Sequence, residues 1–403
     1  MAAIAYDILT RIIRIVRSLP GDQAVLGTAG YSTSGAGVGP YTTTISANGQ
    51  TWKAAFGDNT GTAASGLGYT VIGKGGTTGR TPGAFVGLFV GATATRVAFG
   101  TPRDGAPCFI AVVGGTEIKR GVLNDAGQLV FSSVATIDEG YAFSCTFAGG
   151  AFFISYGVQD AYTLLAVSFN GTTFTMGIDA FADVQEHNLG TGYTDEADAQ
   201  PTGGNVAYDK TKNVYVTTGF YVRNYMVGEP PFEATSFERN FMASTSSNGI
   251  TWTATYDISE NAEGIAGPRF TNSSVCFGKG KFWAITGVKH VGGFAADYRC
   301  GIAHSTDGKV WINVQLPNAV ADGYSSCIRF FKAKATSDDE GFFVAGGIEF
   351  LGFDVPVVTK LWYSANGTAW THHRTDDGAR HWVLSAVGKR VVPGDPAQKF
   401  FYL

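Results

Sequence analysis

The sequence predicts an all-β chain: a β-propeller of four-stranded blades with an amphipathic α-helix at its N-terminus. Three observations carry this: a composition rich in glycine and aromatics, a seven-residue phrase that recurs along the chain, and a pair of apolar runs upstream of most copies. Glycine accounts for 55 of 403 residues, nearly twice its usual share of ~7%. Aromatics make up 13% of the chain and favour strands, while glycine in this amount implies many tight turns. The 44% hydrophobic content is enough for a large core and excludes global disorder. Lys+Arg 29 against Asp+Glu 33 leaves a net charge of −4, without the basic footprint by which binders of nucleic acid or anionic membranes neutralise phosphates.

In chain order, the helix comes first. Ile4, Ile8 and Ile12, with Leu9, Ile13 and Val16, form an apolar face, and Arg11, Arg14 and Arg17 form a basic stripe. Leu19-Pro20-Gly21 stops it, so residues 1–20 are expected to form an anchoring helix and residues 21–403 the propeller. The arginines interrupt what would be the apolar core of a signal peptide, and the stretch is too short and too charged to span a bilayer. It can pack on its own domain, dock into a partner assembly or lie on a membrane surface. Docking is preferred, because three arginines are thin evidence for lipid binding.

The phrase S-x-[ND]-G-x-x-[WF] follows. It reads Ser46, Asn48, Gly49, Trp52; then Ser168, Asn170, Gly171, Phe174; then Ser246, Asn248, Gly249, Trp252. It returns as Ser305, Asp307, Gly308, Trp311 and as Ser364, Asn366, Gly367, Trp370, with a degenerate copy from Asn124 to Phe131. Asn-Gly and Asp-Gly suit a type I′ hairpin turn with two positive-φ residues. The Ser and Asn or Asp side chains can staple such a turn, and the closing ring can be buried beneath it.

Strand pairs precede the copies: Tyr141–Phe147 with Ala151–Tyr156, Asn205–Tyr208 with Val214–Val216, Cys276–Phe277 with Phe282–Ile285, and Ser326–Phe331 with Gly341–Val344. Two strands plus one phrase hairpin make a blade. Trp252, Trp311 and Trp370 recur at equal steps, and Phe131 to Phe174 spans one propeller repeat of ~40–50 residues. Six blades result, at 21–58, 92–136, 137–180, 202–260, 270–317 and 322–376, or seven if 59–91 forms one. The first lacks an inner pair and the strands after His381 lack a phrase, so pairing of the two termini would close the ring.

The phrase resembles the Asp-box, or BNR repeat, of sialidase-like propellers and of virion proteins of tailed bacteriophages. The usual form is S-x-D-x-G-x-T-W; here Asp and Gly positions are adjacent, and Asn replaces Asp in four of five copies. At blade level the resemblance covers most of residues 40–376, and only the phrase is motif-specific. It implies a peripheral, structural role for the phrase residues rather than catalysis. It also implies a non-enzymatic component of a tailed-phage virion, made in the host cytoplasm and present in several copies. Such a component would contact other virion proteins through Ile4, Ile8, Arg11, Ile12, Arg14 and Arg17, and a host-surface glycan or receptor through its loops. The alternatives are a carbohydrate-binding propeller and, third, a sialidase-like glycoside hydrolase.

Sialidase chemistry requires an Arg cluster, a Tyr–Glu pair and an acid/base Asp, and the family carries an aromatic-Arg-Ile-Pro segment ahead of its first box. Residues 1–45 have no such segment, and Gly267-Pro268-Arg269-Phe270 has the wrong order and place. No catalytic residue, metal ligand or cofactor is therefore expected. His372-His373 with Asp376, Asp377 and His381 fits no zinc spacing, and the acidic run from Asp183 to Asp198 lacks the ladder of a calcium loop. Five cysteines without a C-x-x-C pair read as free thiols. The insertion holding Tyr221, Arg223, Tyr225, Phe232, Phe237 and Arg239 mixes rings with guanidiniums, as interaction surfaces do, or else it covers blade edges.

Overall fold

The computed structural model describes residues 96–123, 129–157, 163–182, 205–227, 234–255, 274–290, 297–319, 323–334, 337–350 and 356–377. Outside these it describes short strands at 23–29, 41–45, 51–55, 68–69, 71–72, 86–87, 265–266 and 384–390. The helix expected over residues 1–20 lies outside the described residues. Every regular element described is a strand or a short turn, and no helix among the described residues is long and apolar enough to cross a membrane.

Toward the N-terminus, β1 (Gln23–Ala29), β2 (Tyr41–Ile45) and β3 (Thr51–Ala55) are followed by the two-residue strands β4 (Gly68–Tyr69), β5 (Val71–Ile72) and β6 (Val86–Gly87). β2 pairs with β3, β3 with β5, and β4 with β6. The next two sheets each have four antiparallel strands in sequence order. They are β7 (Arg96–Gly100), β8 (Cys108–Val113), β9 (Glu117–Leu123) and β10 (Leu129–Thr136), then β11 (Tyr141–Ala148), β12 (Ala151–Gly157), β13 (Thr163–Ser168) and β14 (Thr175–Asp179).

Two further sets follow: β15 (Val206–Asp209), β16 (Val214–Val227), β17 (Ala234–Ser246), β18 (Thr253–Thr255); and, after β19 (Ile265–Ala266), β20 (Val275–Gly278), β21 (Lys281–His290), β22 (Asp297–Ser305), β23 (Ile312–Gln315). β19 pairs with both β17 and β21, which joins the two sets into one nine-stranded sheet. The last four-stranded sheet is β24 (Gly323–Lys334), β25 (Ser337–Phe350), β26 (Pro356–Ser364) and β27 (Thr371–Asp377). Finally β28 (Leu384–Arg390) pairs antiparallel with β1, from Ala29↔Leu384 to Gln23↔Arg390.

The sheets stack face to face through their second strands, where neighbouring residues serve opposite cores. Phe152 packs with Ala98, Ile110, Val112 and Ile118 of the preceding sheet, while Phe153 packs with Val206, Tyr215 and Trp252 of the following one. Tyr215 and Val216 split in the same way, as do Phe282 and Trp283. Successive strand residues point to opposite faces, so a strand covered on both sides must be apolar at every position. This explains the burial of the whole run Ala151–Tyr156. The first strands lie against one another in chain order, β7 on β11, β11 on β15, β15 on β20 and β20 on β24, while β28 touches both β24 and β7. Stacked four-stranded sheets with their first strands side by side form a β-propeller.

In an antiparallel sheet of four sequential strands, the first and third connections share one rim, and the second connection and the crossing to the next sheet share the other. On the first rim Gly149-Gly150 and Lys279-Gly280 are two-residue turns with both φ positive, at 55° and 78° and at 52° and 72°, while the β24–β25 hairpin runs on to Lys334↔Ser337. The second rim carries the long hairpin of β16 and β17, the extended hairpins of β21–β22 and β25–β26, and β19.

Candidate functional site: the repeated turns and the projecting hairpin

Four copies of the phrase have their turns among the described residues, and all four bind the turn amides in the same way. The Ser hydroxyl accepts the Gly amide, at 2.9 Å for Gly171 and 2.8 Å for Gly249, Gly308 and Gly367. The same hydroxyl donates to the Asn or Asp Oδ1 at 3.2, 3.1 and 3.0 Å in the first three, while Ser364 donates to its closer acceptor, Ala369 O, at 2.6 Å. The Asn or Asp Oδ1 accepts the next two amides, as in Asn170 with Thr172 and Thr173, both at 2.8 Å. Only the glycine has positive φ, between 74° and 82°. The type I′ expectation is therefore corrected. By capping two following amides, the Asx side chain fixes its own residue at negative φ, which makes this an Asx turn with a single left-handed glycine. The turn of the first copy, with Ser46, Asn48 and Gly49, and that of the degenerate copy lie outside the described residues; Trp52 lies in β3 opposite Thr44.

The closing tryptophans are fastened to their own turns. Trp252, Trp311 and Trp370 donate Nε1–H to the carbonyls of Gly249, Gly308 and Gly367 at 3.2, 3.1 and 2.7 Å. Phe174 cannot make this bond and packs on the Phe152 cluster. The rings reach into the preceding sheet: Trp252 meets Phe153, Trp311 meets Phe241 and Trp370 meets Trp283, with centroids 6.4, 5.2 and 6.2 Å apart. The glycines press on that sheet too. A Cβ at Gly171 would lie 2.7 Å from Cys108 Sγ, one at Gly249 would lie 3.1 Å from Phe153, and those at Gly308 and Gly367 would collide with Val216 and Trp283. Each turn is thus a wedge against the second strand of the sheet before it. The phrase alone did not reveal this partner, because the partner is remote in sequence.

Cations on the same rim reach forward to later sheets. Arg103, between β7 and β8, donates to Tyr215 OH at 2.7 Å and Gly149 O at 3.3 Å and lies 4.3 Å over the Phe169 ring. Lys212 donates to Thr306 O, and Lys279 donates to Asp339 O at 2.7 Å. Burial raises the Tyr215 hydroxyl above its ordinary pKa, against the opposing pull of Arg103. Burial likewise raises the Cys108 thiol, with Arg120 beside it acting the other way. His304 is held below the usual imidazole value by burial and by Lys281. At Asp307 burial pushes the carboxyl up, but the amides of Lys309 and Val310 and the Ser305 hydroxyl bring it down to a net lowering.

The residues singled out in the large insertion lie on the other rim. In the β16–β17 ladder Tyr221 pairs with Asn240, Arg223 with Glu238, Tyr225 with Ser236, Phe237 with Asn224 and Arg239 with Val222. By strand alternation Tyr221, Arg223 and Tyr225 occupy positions on one face of the ribbon, and Phe237 and Arg239 positions on the other. Phe232 lies outside the described residues, as do Arg269, the acidic run from Asp183 to Asp198 and His381. His372 sits 6.1 Å from the Trp362 ring, and among the described residues no group of His, Cys, Asp and Glu is arranged to hold a metal. Arg329 is tied to Ser274 and to Ile328 O. Cys108 and Cys300 are buried, and neither they nor Cys145 and Cys276 are joined in a disulfide.

No family model matches the chain, and no curated protein matches it. Among solved structures, it is similar to the GH32 β-fructofuranosidase BmSUC1 of Bombyx mori, with 10% identity over 64% of this chain and 57% of that one and a TM-score of 0.34. It is similar to the α-L-arabinofuranosidase Arb93A of Fusarium graminearum, at 11% identity, 87% and 92% coverage and TM-score 0.38. It is also similar to the Trypanosoma rangeli sialidase, at 12% identity, 76% and 53% coverage and TM-score 0.34. The chain thus spans just over half the length of the fructofuranosidase and the sialidase. The architecture rests on the chain's own strand order and packing rather than on these likenesses. The expectation of a non-enzymatic protein is withdrawn, because it rested on the absence of one sialidase signature, which does not speak for glycosidases of other kinds.

Proposed function

We propose that the chain is a structural and attachment component of a tailed-phage virion. In this reading it is a six-bladed ring closed where β1 meets β28, with its N-terminal helix docked into the particle and its elaborated rim turned outward. The observation that carries the reading is the division of labour between the rims. The phrase turns are spent on locking sheet to sheet, while the longest hairpin, β16–β17, and those of β21–β22 and β25–β26 rise from the opposite rim. A stiff body with one elaborated rim suits a role in holding and presenting loops. The resemblance of the phrase to the Asp-box adds the phage setting, and Ile4, Ile8, Arg11, Ile12, Arg14 and Arg17 supply the docking face.

Mass spectrometry of purified particles tests this: the chain is expected among virion proteins, and its absence ends the proposal. A chain lacking residues 1–20 is expected to fold and to fail to incorporate. A second reading, carbohydrate recognition, is favoured by the alternation of Tyr221, Arg223 and Tyr225 along one face of the projecting ribbon. Tyrosines flanking a guanidinium can stack on sugar rings and hydrogen-bond their hydroxyls. A glycan array tests it, and a panel of fluorogenic glycosides on the same preparation tests the third reading, glycoside hydrolysis.

A further inference from the structure

The hairpin of β16 and β17 outruns the sheet to which it belongs. β15 pairs with β16 only as far as Val206↔Thr217, β18 pairs with β17 only at residues 243–245, and β19 meets β17 at Asn240. The β16–β17 ladder continues from Tyr221↔Asn240 to Val227↔Ala234. At ~3.3 Å per residue, this extension projects roughly 20 Å beyond the neighbouring strands. A two-stranded ribbon is marginal in water. Among the described residues no strand other than β17 pairs with Tyr221–Val227. A strand edge of this length is a template for strand addition, and proteins usually blunt such edges with proline or lysine. Tyr221-Val-Arg-Asn-Tyr-Met-Val227 contains neither.

The segment is complementary to itself. Laid antiparallel on a second copy about Asn224, it sets Arg223 opposite Tyr225, Val222 opposite Met226, Tyr221 opposite Val227, and Asn224 opposite its own counterpart. A guanidinium facing a phenol ring, apolar residues facing one another and an aromatic facing a β-branched residue are pairings that sheets favour. Centring on Arg223 would instead oppose two guanidiniums, so charge excludes that register, and centring on Asn224 pairs all seven residues of the segment. We propose that the chain forms a two-fold symmetric dimer by antiparallel pairing of residues 221–227, centred on Asn224. The same patch serves both partners, so the contact closes at two copies. This inference is independent of the virion reading and stands or falls in solution.

The full chain is tested by light scattering and sedimentation over a range of concentrations, with a dimer expected. Asn224→Cys should cross-link to itself under mild oxidation, since facing Cα atoms in a ladder lie within disulfide reach, and Val222→Cys should not. The unsubstituted chain controls for its five native cysteines. Tyr225→Arg opposes two guanidiniums and is expected to weaken the dimer about tenfold or more, whereas Tyr225→Glu keeps it. Should Tyr225→Arg disturb folding, the cross-linking pair still decides. A monomer at all concentrations, an undiminished dimer in folded Tyr225→Arg, or cross-linking of the Val222→Cys chain in place of the Asn224→Cys chain overturns the proposal.

Discussion

At the scale of single residues, the turn glycines separate two costs that are usually mixed. Gly280 has φ 72° and nothing within 4 Å of a Cβ, whereas Gly367 has φ 82° and presses on Trp283. Gly280→Ala should cost only the left-handed strain, about 1 kcal/mol. Gly367→Ala should add an overpacking cost of about 1–3 kcal/mol. Denaturant melts of the two variants should therefore differ clearly, and equal losses would show that the wedge is not under compression. Asp307 offers a pH readout. Its carboxyl titrates below the ordinary value when folded, so the stability it contributes is present above the unfolded-state pKa and is lost as pH falls through the folded one. Asp307→Asn copies the other repeats and accepts the same amides, so it should be near-neutral at pH 7 and should flatten the acid limb of a stability–pH curve. The Asn-Gly dipeptide was legible in the sequence as a turn, but its type was not. The Asx side chain, which caps the two amides after the glycine while the Ser hydroxyl takes the Gly amide, decides the conformation.

At the scale of elements, strands with two covered faces were easy to read and strands without a pattern were not. Phe152-Phe153, Phe282-Trp283 and the runs around them announce themselves because each position serves one of two cores. β19 has two residues within a long connection and no periodicity to detect, yet Ala266 bonds opposite both Asn240 and Gly287. The length of β16 and β17 was hidden for a related reason: outside the core nothing enforces apolar alternation, so Arg223 and Asn224 read as loop. Ala266→Pro removes an amide from the bridge. It should raise hydrogen exchange at Asn240 and Gly287 while leaving the β11–β14 sheet as protected as before. Uniform protection across both regions would mean that β19 adds nothing to the joint.

At the scale of the whole molecule, the stacking order and the meeting of β1 with β28 join the two ends of the chain in one sheet. The sequence hinted at this seam only through what each terminus lacked. Ending the chain before Leu384 strips β1 of its partner and uncovers β24 and β7, so cooperative unfolding should shift to lower denaturant or split into two transitions. An unchanged single transition would mean that the seam is dispensable. The wedges also have a polarity: in every described case the later sheet grips the earlier one. A ribosome delivers these segments in the same sense, so each sheet leaves the exit tunnel unclamped and is fastened only once its successor's third and fourth strands follow. Assembly would then run as a one-way ratchet along the nascent chain, and the shared seam must be the last joint to form.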